Sequence, residues 1–198
     1  MEPLTPVLSG LTYHIFNKGN NGEDIFKDEN CYRHFLRLYA FHIEPIAETY
    51  AFCLLRNHFH LLVRFREREK IDPNYDRTIS PTQALSNFFN AYTQATNKRR
   101  KRTGKLFREH FRRIVVNTEP YFASLIVYIH RNPQKHQFTD DFRDWPWTSY
   151  HALVCNQTTQ LRRSAVHTLF GGVQAFRELH RRDVDDTAIT PLIEGDFM

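Results

Sequence analysis

Residues 54–63 form an apolar run that contains two histidines, and no other segment constrains the fold as strongly. The run is Leu-Leu-Arg-Asn-His-Phe-His-Leu-Leu-Val, which is apolar enough to be a buried strand. Side chains in a strand alternate between its two faces, so His58 and His60 lie on one face and Phe59 lies on the other. Two neutral imidazoles on one face can share a divalent cation. The pair is also compatible with two surface histidines on the polar face of a half-buried strand.

A second candidate group lies in a helix predicted over residues 121–132. Thr118 suits the N-cap and Pro120 suits the first turn. Tyr128 and Asn132 are four residues apart, so they share one face of the helix and could face a metal held by the two histidines. Pro133 disfavours helix at the residue before it, which predicts that Asn132 lies near the C-terminal end. Tyr128 could instead be an amphipathic core residue, and Asn132 could be a helix stop.

Positive charge is concentrated in residues 98–113, which we call the basic segment. The whole chain has a net charge of +5 and a pI of about 9.2. Within the basic segment only Glu109 opposes nine cationic residues, which are Lys98, Arg99, Arg100, Lys101, Arg102, Lys105, Arg108, Arg112 and Arg113. Phe107 and Phe111 alternate with these charges, a combination that suits phosphate neutralisation and base stacking in nucleic-acid binding. The alternative is a solvated helix end and loop.

Composition indicates one folded domain, which we place at residues 1–183, followed by a flexible acidic tail at residues 184–198. A hydrophobic content of 41% in 198 residues argues against disorder and is enough for a core. The three cysteines have no Cys-x-x-Cys spacing, which indicates free thiols in a reducing compartment. Neither a signal segment nor a membrane-length apolar run is visible, so we expect a cytoplasmic protein without a membrane partner.

The order of predicted elements indicates an α+β fold. Strands are predicted at residues 12–16, 46–55 and 58–65, one or two further strands at residues 106–116, and helices at residues 28–42 and from residue 80 onwards. The resulting β-α-β-β-α-β order is that of a ferredoxin-like antiparallel sheet with helices packed on one face. Two short C-terminal helices are predicted at residues 164–170 and 173–181, separated by two glycines.

Several motifs together resemble the single-tyrosine HUH transposases, and in particular the REP-associated tyrosine transposases. The resemblance covers about residues 10–182 and has the same order and spacing as in that family. The matching segments are Asn-His-Phe-His-Leu-Leu-Val at residues 57–63, Gly-Lys-Leu-Phe at 104–107, Tyr-Ile-His-Arg-Asn-Pro at 128–133 and Trp-Pro-Trp-Thr-Ser-Tyr at 145–150. The family often has Met-Pro before the Asn-His pair, where this chain has Leu-Arg.

The resemblance implies a role for each of four residues. His58 and His60 would bind a divalent metal, with magnesium or manganese favoured, and Asn132 would complete the metal site. Tyr128 would be the nucleophile that attacks a phosphodiester of single-stranded DNA, in a sequence that forms a hairpin, and that becomes joined to the 5′-phosphate. The ferredoxin-like fold is implied as well. The protein would act as a monomer or a homodimer.

Two other functions remain open at the level of sequence. The chain could be a domesticated DNA- or RNA-binding module that keeps the fold and no longer nicks. It could also be a metal-dependent nuclease in which water attacks and Tyr128 only orients the substrate.

Overall fold

We describe a computed structural model of the chain, which covers residues 6–108, 110–182 and 189. Residues 184–198, for which we predict a flexible tail, lie outside these described residues except for Ile189, which is buried. No helix within the described part is long and apolar enough to cross a membrane.

A four-stranded antiparallel sheet forms the centre of the molecule. Its strands are β1 (Thr12–Lys18), β2 (Ala47–Leu54), β3 (His58–Phe65) and β4 (Arg112–Val115). They are arranged in the order β2-β3-β1-β4, and all three neighbouring pairs are antiparallel. This order confirms the predicted ferredoxin-like sheet. The two central strands, β1 and β3, are buried along nearly their whole length, whereas β4 is an exposed edge.

Helices α1 (Glu29–His42) and α2 (Pro81–Arg100) pack on one face of the sheet, as the ferredoxin-like arrangement predicts. The side chains of Asp28 and Ser80 cap the two helices by accepting hydrogen bonds from backbone N–H groups in the first turn. The helices and the sheet bury a cluster of aromatic rings, in which Phe35, Phe59 and Phe88 are fully enclosed. This face is a packed core and contributes stability through the apolar area that it buries.

The opposite face of the sheet is covered by α3 (Glu119–Lys135), α4 (Tyr150–Val154), α5 (Arg163–Phe170) and α6 (Val173–Arg181). The prediction of helices on one face is therefore correct for α1 and α2 and incomplete for the whole chain. The reason lies in β3, which is buried on both faces from His58 to Val63. A strand that is buried on both faces needs a helical layer on each side. Helix α4 was not predicted, because five residues are too few for a visible periodicity.

Two boundaries differ by more than two residues from those predicted. Helix α3 continues through Pro133 and ends at Lys135, because Pro133 removes a single backbone donor and the N–H of His136 still donates to the carbonyl of Asn132 at 3.0 Å. Asn132 thus lies in the last turn, as expected, but it does not stop the helix. Of the one or two strands predicted over residues 106–116, β4 forms at Arg112–Val115, and the earlier part has a single bridge between Phe107 and Gly19.

Candidate active site

The two histidines of the motif lie side by side on the α3 face of the sheet. His60 is paired with Phe16 of β1 and with Cys53 of β2, so it lies in the middle of the sheet. His58 and His60 are 5% and 0% exposed, and their ring centroids are 5.2 Å apart. Phe59 lies on the opposite face, within the aromatic core of α1 and α2. The alternation predicted from the sequence is therefore present, and the alternative of two surface histidines is wrong.

Helix α3 brings Tyr128 and Asn132 to the same place. The side-chain oxygen Oδ1 of Asn132 is 3.3 Å from Nε2 of His58. The ring of Tyr128 meets the ring of His60 edge to face, with centroids 5.8 Å apart. Both α3 residues are buried, at 4% and 0% exposure. The four residues singled out from the sequence thus converge although they come from a strand and a helix far apart in the chain.

Burial keeps both histidines in the form that can bind a metal. Desolvation lowers the pKa of His58 from 6.5 to about 3, with a further contribution from the nearby His136. Desolvation likewise holds the pKa of His60 well below its usual value, and the neighbouring His14 acts in the same direction. Both imidazoles are therefore neutral at pH 7, and a neutral imidazole has a nitrogen lone pair available for a cation.

The side chains present fit a divalent metal with open coordination positions. The set contains two neutral imidazoles and one amide oxygen, which leaves room for water or phosphate and is unlike a closed structural zinc site. Within the described residues there is no group of three or more His, Cys, Asp or Glu side chains that could hold a metal. Asn132 is not one of these residue types, and its Oδ1, 3.3 Å from Nε2 of His58, could supply an oxygen ligand.

The structure adds four residues around this site that the sequence did not suggest. His14 hydrogen-bonds His60 through Nε2 and Nδ1, which are 3.0 Å apart. Lys18 lies opposite His58 in the β1–β3 register, and the ring of His136 is 4.9 Å from the ring of His58. Lys135 places its Nζ 5.0 Å from the centre of the Tyr128 ring. The alternation in β1 could have placed His14 on this face, but only knowledge of the strand pairing shows that it meets His60.

Three other residues near the motifs have structural roles. The hydroxyl of Tyr92 donates to the carbonyl of Ile25 at 3.1 Å within the opposite core, so Tyr92 cannot reach the histidines. Tyr121 lies in the first turn of α3, and its buried hydroxyl has no hydrogen-bond partner among the described residues. His130 hydrogen-bonds Ser149 and His180 and is fully buried, so it has a packing role.

The basic segment divides into two parts. Three of its arginines bind the region around the start of α1: Arg99 forms an ion pair with Asp28, Arg100 donates to backbone carbonyls, and Arg102 forms an ion pair with Glu23. The remaining cations are Lys98, Lys101, Lys105, Arg108, Arg112 and Arg113, and all except the partly buried Arg113 are exposed.

Two cations of the second part lie close to the histidine face. The backbone N–H of Arg108 donates to the carbonyl of Lys18 at 2.9 Å. Arg112 is the partner of Phe16 in the β1–β4 register, which places it on the same face as His60. A strand of nucleic acid that enters the site over the β4 edge would therefore meet positive charge before it reaches Tyr128.

Comparison with known proteins agrees with the motifs. No family model matches the chain. A curated protein of Haemophilus influenzae is 31% identical to this chain over 110 residues. That protein is named as a candidate REP-associated tyrosine transposase. That match spans 54% of this chain and 61% of the relative.

A solved structure also resembles the chain. It is a REP-associated tyrosine transposase bound to a REP hairpin. The two structures superpose with a TM-score of 0.60, over 79% of this chain and 86% of the transposase chain, and their sequences are 16% identical. At this identity the structural match establishes the fold. The resemblance to REP-associated tyrosine transposases that the motifs predict is therefore confirmed, in sequence by the curated relative and in fold by the solved structure.

Proposed function

We propose that this protein is a transposase-like, metal-dependent transesterase that cleaves and rejoins single-stranded DNA through a 5′-phosphotyrosine at Tyr128. Its substrates would be sequences that form hairpins, like the DNA bound in the similar solved structure. The observation that carries the proposal is the convergence of Tyr128 and Asn132 on the His58–His60 pair. A binding module would have no need to gather these four side chains beneath a helix.

The reaction would proceed by transesterification. The phenol oxygen of Tyr128 attacks the phosphorus, the bond from phosphorus to the 3′ oxygen breaks, and the departing oxygen takes up a proton to give a free 3′-hydroxyl. The energy of the phosphodiester is retained in the phosphotyrosine, so a second 3′-hydroxyl can reverse the step and rejoin the DNA. No nucleotide cofactor is required.

The residues of the site would each contribute to this step. A tyrosine with a pKa of about 10 is a weak nucleophile at neutral pH. The ammonium group of Lys135 lies over the Tyr128 ring, where its charge favours the phenolate and the attacked phosphate. His58, His60 and Asn132 would hold magnesium or manganese, which supplies Lewis-acid polarisation of the phosphate when bound. Lys18, opposite His58, adds positive charge for the DNA backbone.

The covalent intermediate provides the test. Wild-type protein is incubated with end-labelled, hairpin-bearing single-stranded DNA and either magnesium or manganese, and the products are separated on a denaturing gel. We expect a protein–DNA adduct with the wild type and none with Tyr128→Phe, which removes one oxygen and keeps the ring, so that packing changes little. Cleavage without an adduct would favour the nuclease. A mobility shift on a parallel native gel, with neither product on the denaturing gel, would favour the binding module.

Tyr121→Phe is the matched control. It makes the same change on the same helix, and it removes a buried hydroxyl that has no hydrogen-bond partner among the described residues. Removing such a group is neutral or mildly stabilising, so this variant should fold and form the adduct as the wild type does. If Tyr128→Phe cleaved DNA at the wild-type rate, the assignment of the nucleophile would be wrong.

A further inference from the structure

A cavity of about 340 Å³ lies on the α2 side of the β1 end, on the other side of the sheet from Tyr128. It is bordered by the middle of α2 (residues 86–93), by β1 at Asn17 and by the loop before β4. The motifs assigned to catalysis do not involve it. Its volume is at the lower end of the range of about 300–1,000 Å³ that is typical of small-molecule pockets, which suits a single nucleoside.

Aromatic rings form one wall of this cavity. Phe111 is partly exposed and packs on the buried Phe89, with ring centroids 5.3 Å apart. The guanidinium of Arg113 lies 5.1 Å from the centre of the Phe111 ring. Phe111 is therefore held in place by the core on one side while part of its ring faces the cavity. Such a fixed, partly exposed ring is the feature on which an unpaired nucleobase stacks.

Polar groups on α2 complete the wall. Asn90 is exposed and Thr93 is half-buried, and because they are three residues apart they lie on one face of the helix. Neither side chain hydrogen-bonds another described residue. An amide offers both donors and an acceptor, and a hydroxyl offers one of each, so the pair can read the edge of a base. An apolar partner would cover the Asn90 amide and the Thr93 hydroxyl without offering them hydrogen bonds.

The rim of the cavity is cationic and continues to the active site. Lys105 and Arg108 border the cavity and are exposed. Arg108 is hydrogen-bonded through its backbone to Lys18, and Lys18 is paired with His58. A phosphate chain that follows these cations passes from the catalytic face around the end of β1 to the cavity. A nucleotide of a single strand fits this cavity, because its base suits the aromatic and polar wall and its phosphate suits the cationic rim.

We propose that this cavity binds one unpaired nucleobase of the DNA strand that Tyr128 cleaves, by stacking the base on Phe111 and contacting its edge with Asn90 and Thr93. The proposal rests on the function proposed above and adds to it a position at which the single-stranded flank of the hairpin is held. It would fix which phosphodiester reaches Tyr128.

An abasic scan tests this site. The probe is a fluorescein-labelled DNA hairpin with a short single-stranded arm on each side, and a set of variants lacks one base of an arm at a time. We expect one position at which loss of the base weakens wild-type binding by about 5- to 150-fold, which corresponds to about 1–3 kcal/mol of stacking. The variant Phe111→Leu keeps the apolar volume and loses the π face. In this variant, removing the base at the same arm position should weaken binding much less.

Two further variants control the experiment. Asn90→Ala should reduce discrimination among the four bases at that position and leave the unfolding temperature unchanged, since Asn90 is exposed. Phe41→Ala removes a 72% exposed phenylalanine of α1 that does not line the cavity, and should keep the full abasic effect. The inference is overturned if no arm position responds in the wild type, or if Phe111→Leu weakens every probe equally.

The outcomes separate this site from the proposed chemistry. An abasic effect that depends on Phe111, without any Tyr128 adduct, would keep the base site and refute the transesterase. An adduct with no abasic effect would refute the base site alone. No binding of the probe by the wild type would contradict both.

Discussion

Replacing His180 by Phe should make the protein less stable at pH 8 and less sensitive to acid. His180 in α6 and His130 in α3 are joined by a 2.8 Å hydrogen bond between Nε2 and Nδ1, and both are buried. The carbonyl of Phe176 accepts a hydrogen bond from Nδ1 of His180 at 2.7 Å, so Nε2 of His180 must accept from His130. Nε2 of His130 in turn accepts from the hydroxyl of Ser149 at 2.7 Å. With both histidines neutral, each of these ring nitrogens has a hydrogen-bond partner in this chain of bonds.

The pKa of His180 gives the size of the effect. Burial lowers that pKa from 6.5 to about 4, which corresponds to roughly 3 kcal/mol. Because the pKa is lowered on folding, the unfolded chain takes up the proton first. This part of the free energy of unfolding is therefore present above about pH 6.5 and is lost as the pH falls towards 4. Burial holds the pKa of His130 well below its usual value as well, so that ring adds a pH dependence of the same sign.

The variant His180→Phe removes the pH dependence that comes from His180, and it lowers the stability at pH 8. The new ring would lie among Phe176, Tyr150 and Phe170, which suits an aromatic side chain. Its cost is the unsatisfied Nδ1–H of His130, about 1–3 kcal/mol at pH 8. Urea unfolding of the wild type and of His180→Phe at pH 8 and pH 4.5 measures both effects. The wild type should be more stable at pH 8, and the difference should close or reverse at pH 4.5. An equal difference at both pH values would refute the reasoning.

Further predictions concern the metal and the DNA. Manganese at about 100 times its Kd should stabilise the wild type by about 2.7 kcal/mol, a rise in Tm of roughly 5–11 °C in differential scanning fluorimetry. The double variant His58→Ala/His60→Ala should show no rise, and an equal rise would place the metal elsewhere. Asn132→Ala should weaken manganese binding in titration calorimetry; unchanged affinity would remove it from the ligand set. Arg108→Gln should reduce the log–log salt slope of DNA binding by about 0.7, whereas Arg99→Gln, which breaks the ion pair with Asp28, should not. Equal slopes would mean that the two parts of the basic segment do not differ in function.

The parts of the structure that depend on short-range patterns were predictable from the sequence. The alternation of His58, Phe59 and His60 follows from strand geometry alone. The spacing of Tyr128 and Asn132 follows from the helical repeat in the same way. Both patterns act over a few residues, so neither needs knowledge of the tertiary structure.

The parts that depend on long-range pairing were not predictable. The contact of His14 with His60 requires the β1–β3 register, and the position of Lys18 opposite His58 requires it too. The division of the basic segment depends on acidic partners such as Asp28, which are distant in sequence. A count of charges describes the potential of a segment, but it does not show which guanidinium groups hold the start of α1 in place.

The pairing of β3 with both of its neighbours makes the candidate active site and the core depend on one another. Deleting one residue between Leu55 and His58 would shift the strand by one position and exchange its two faces. His58 and His60 would then enter the aromatic core beside Phe35, and Phe59 would take the place beneath Tyr128. An odd change of length at the start of β3 would therefore remove the candidate site and the fold together, whereas a change in the loop over residues 66–79 would leave the register of β3 as it is.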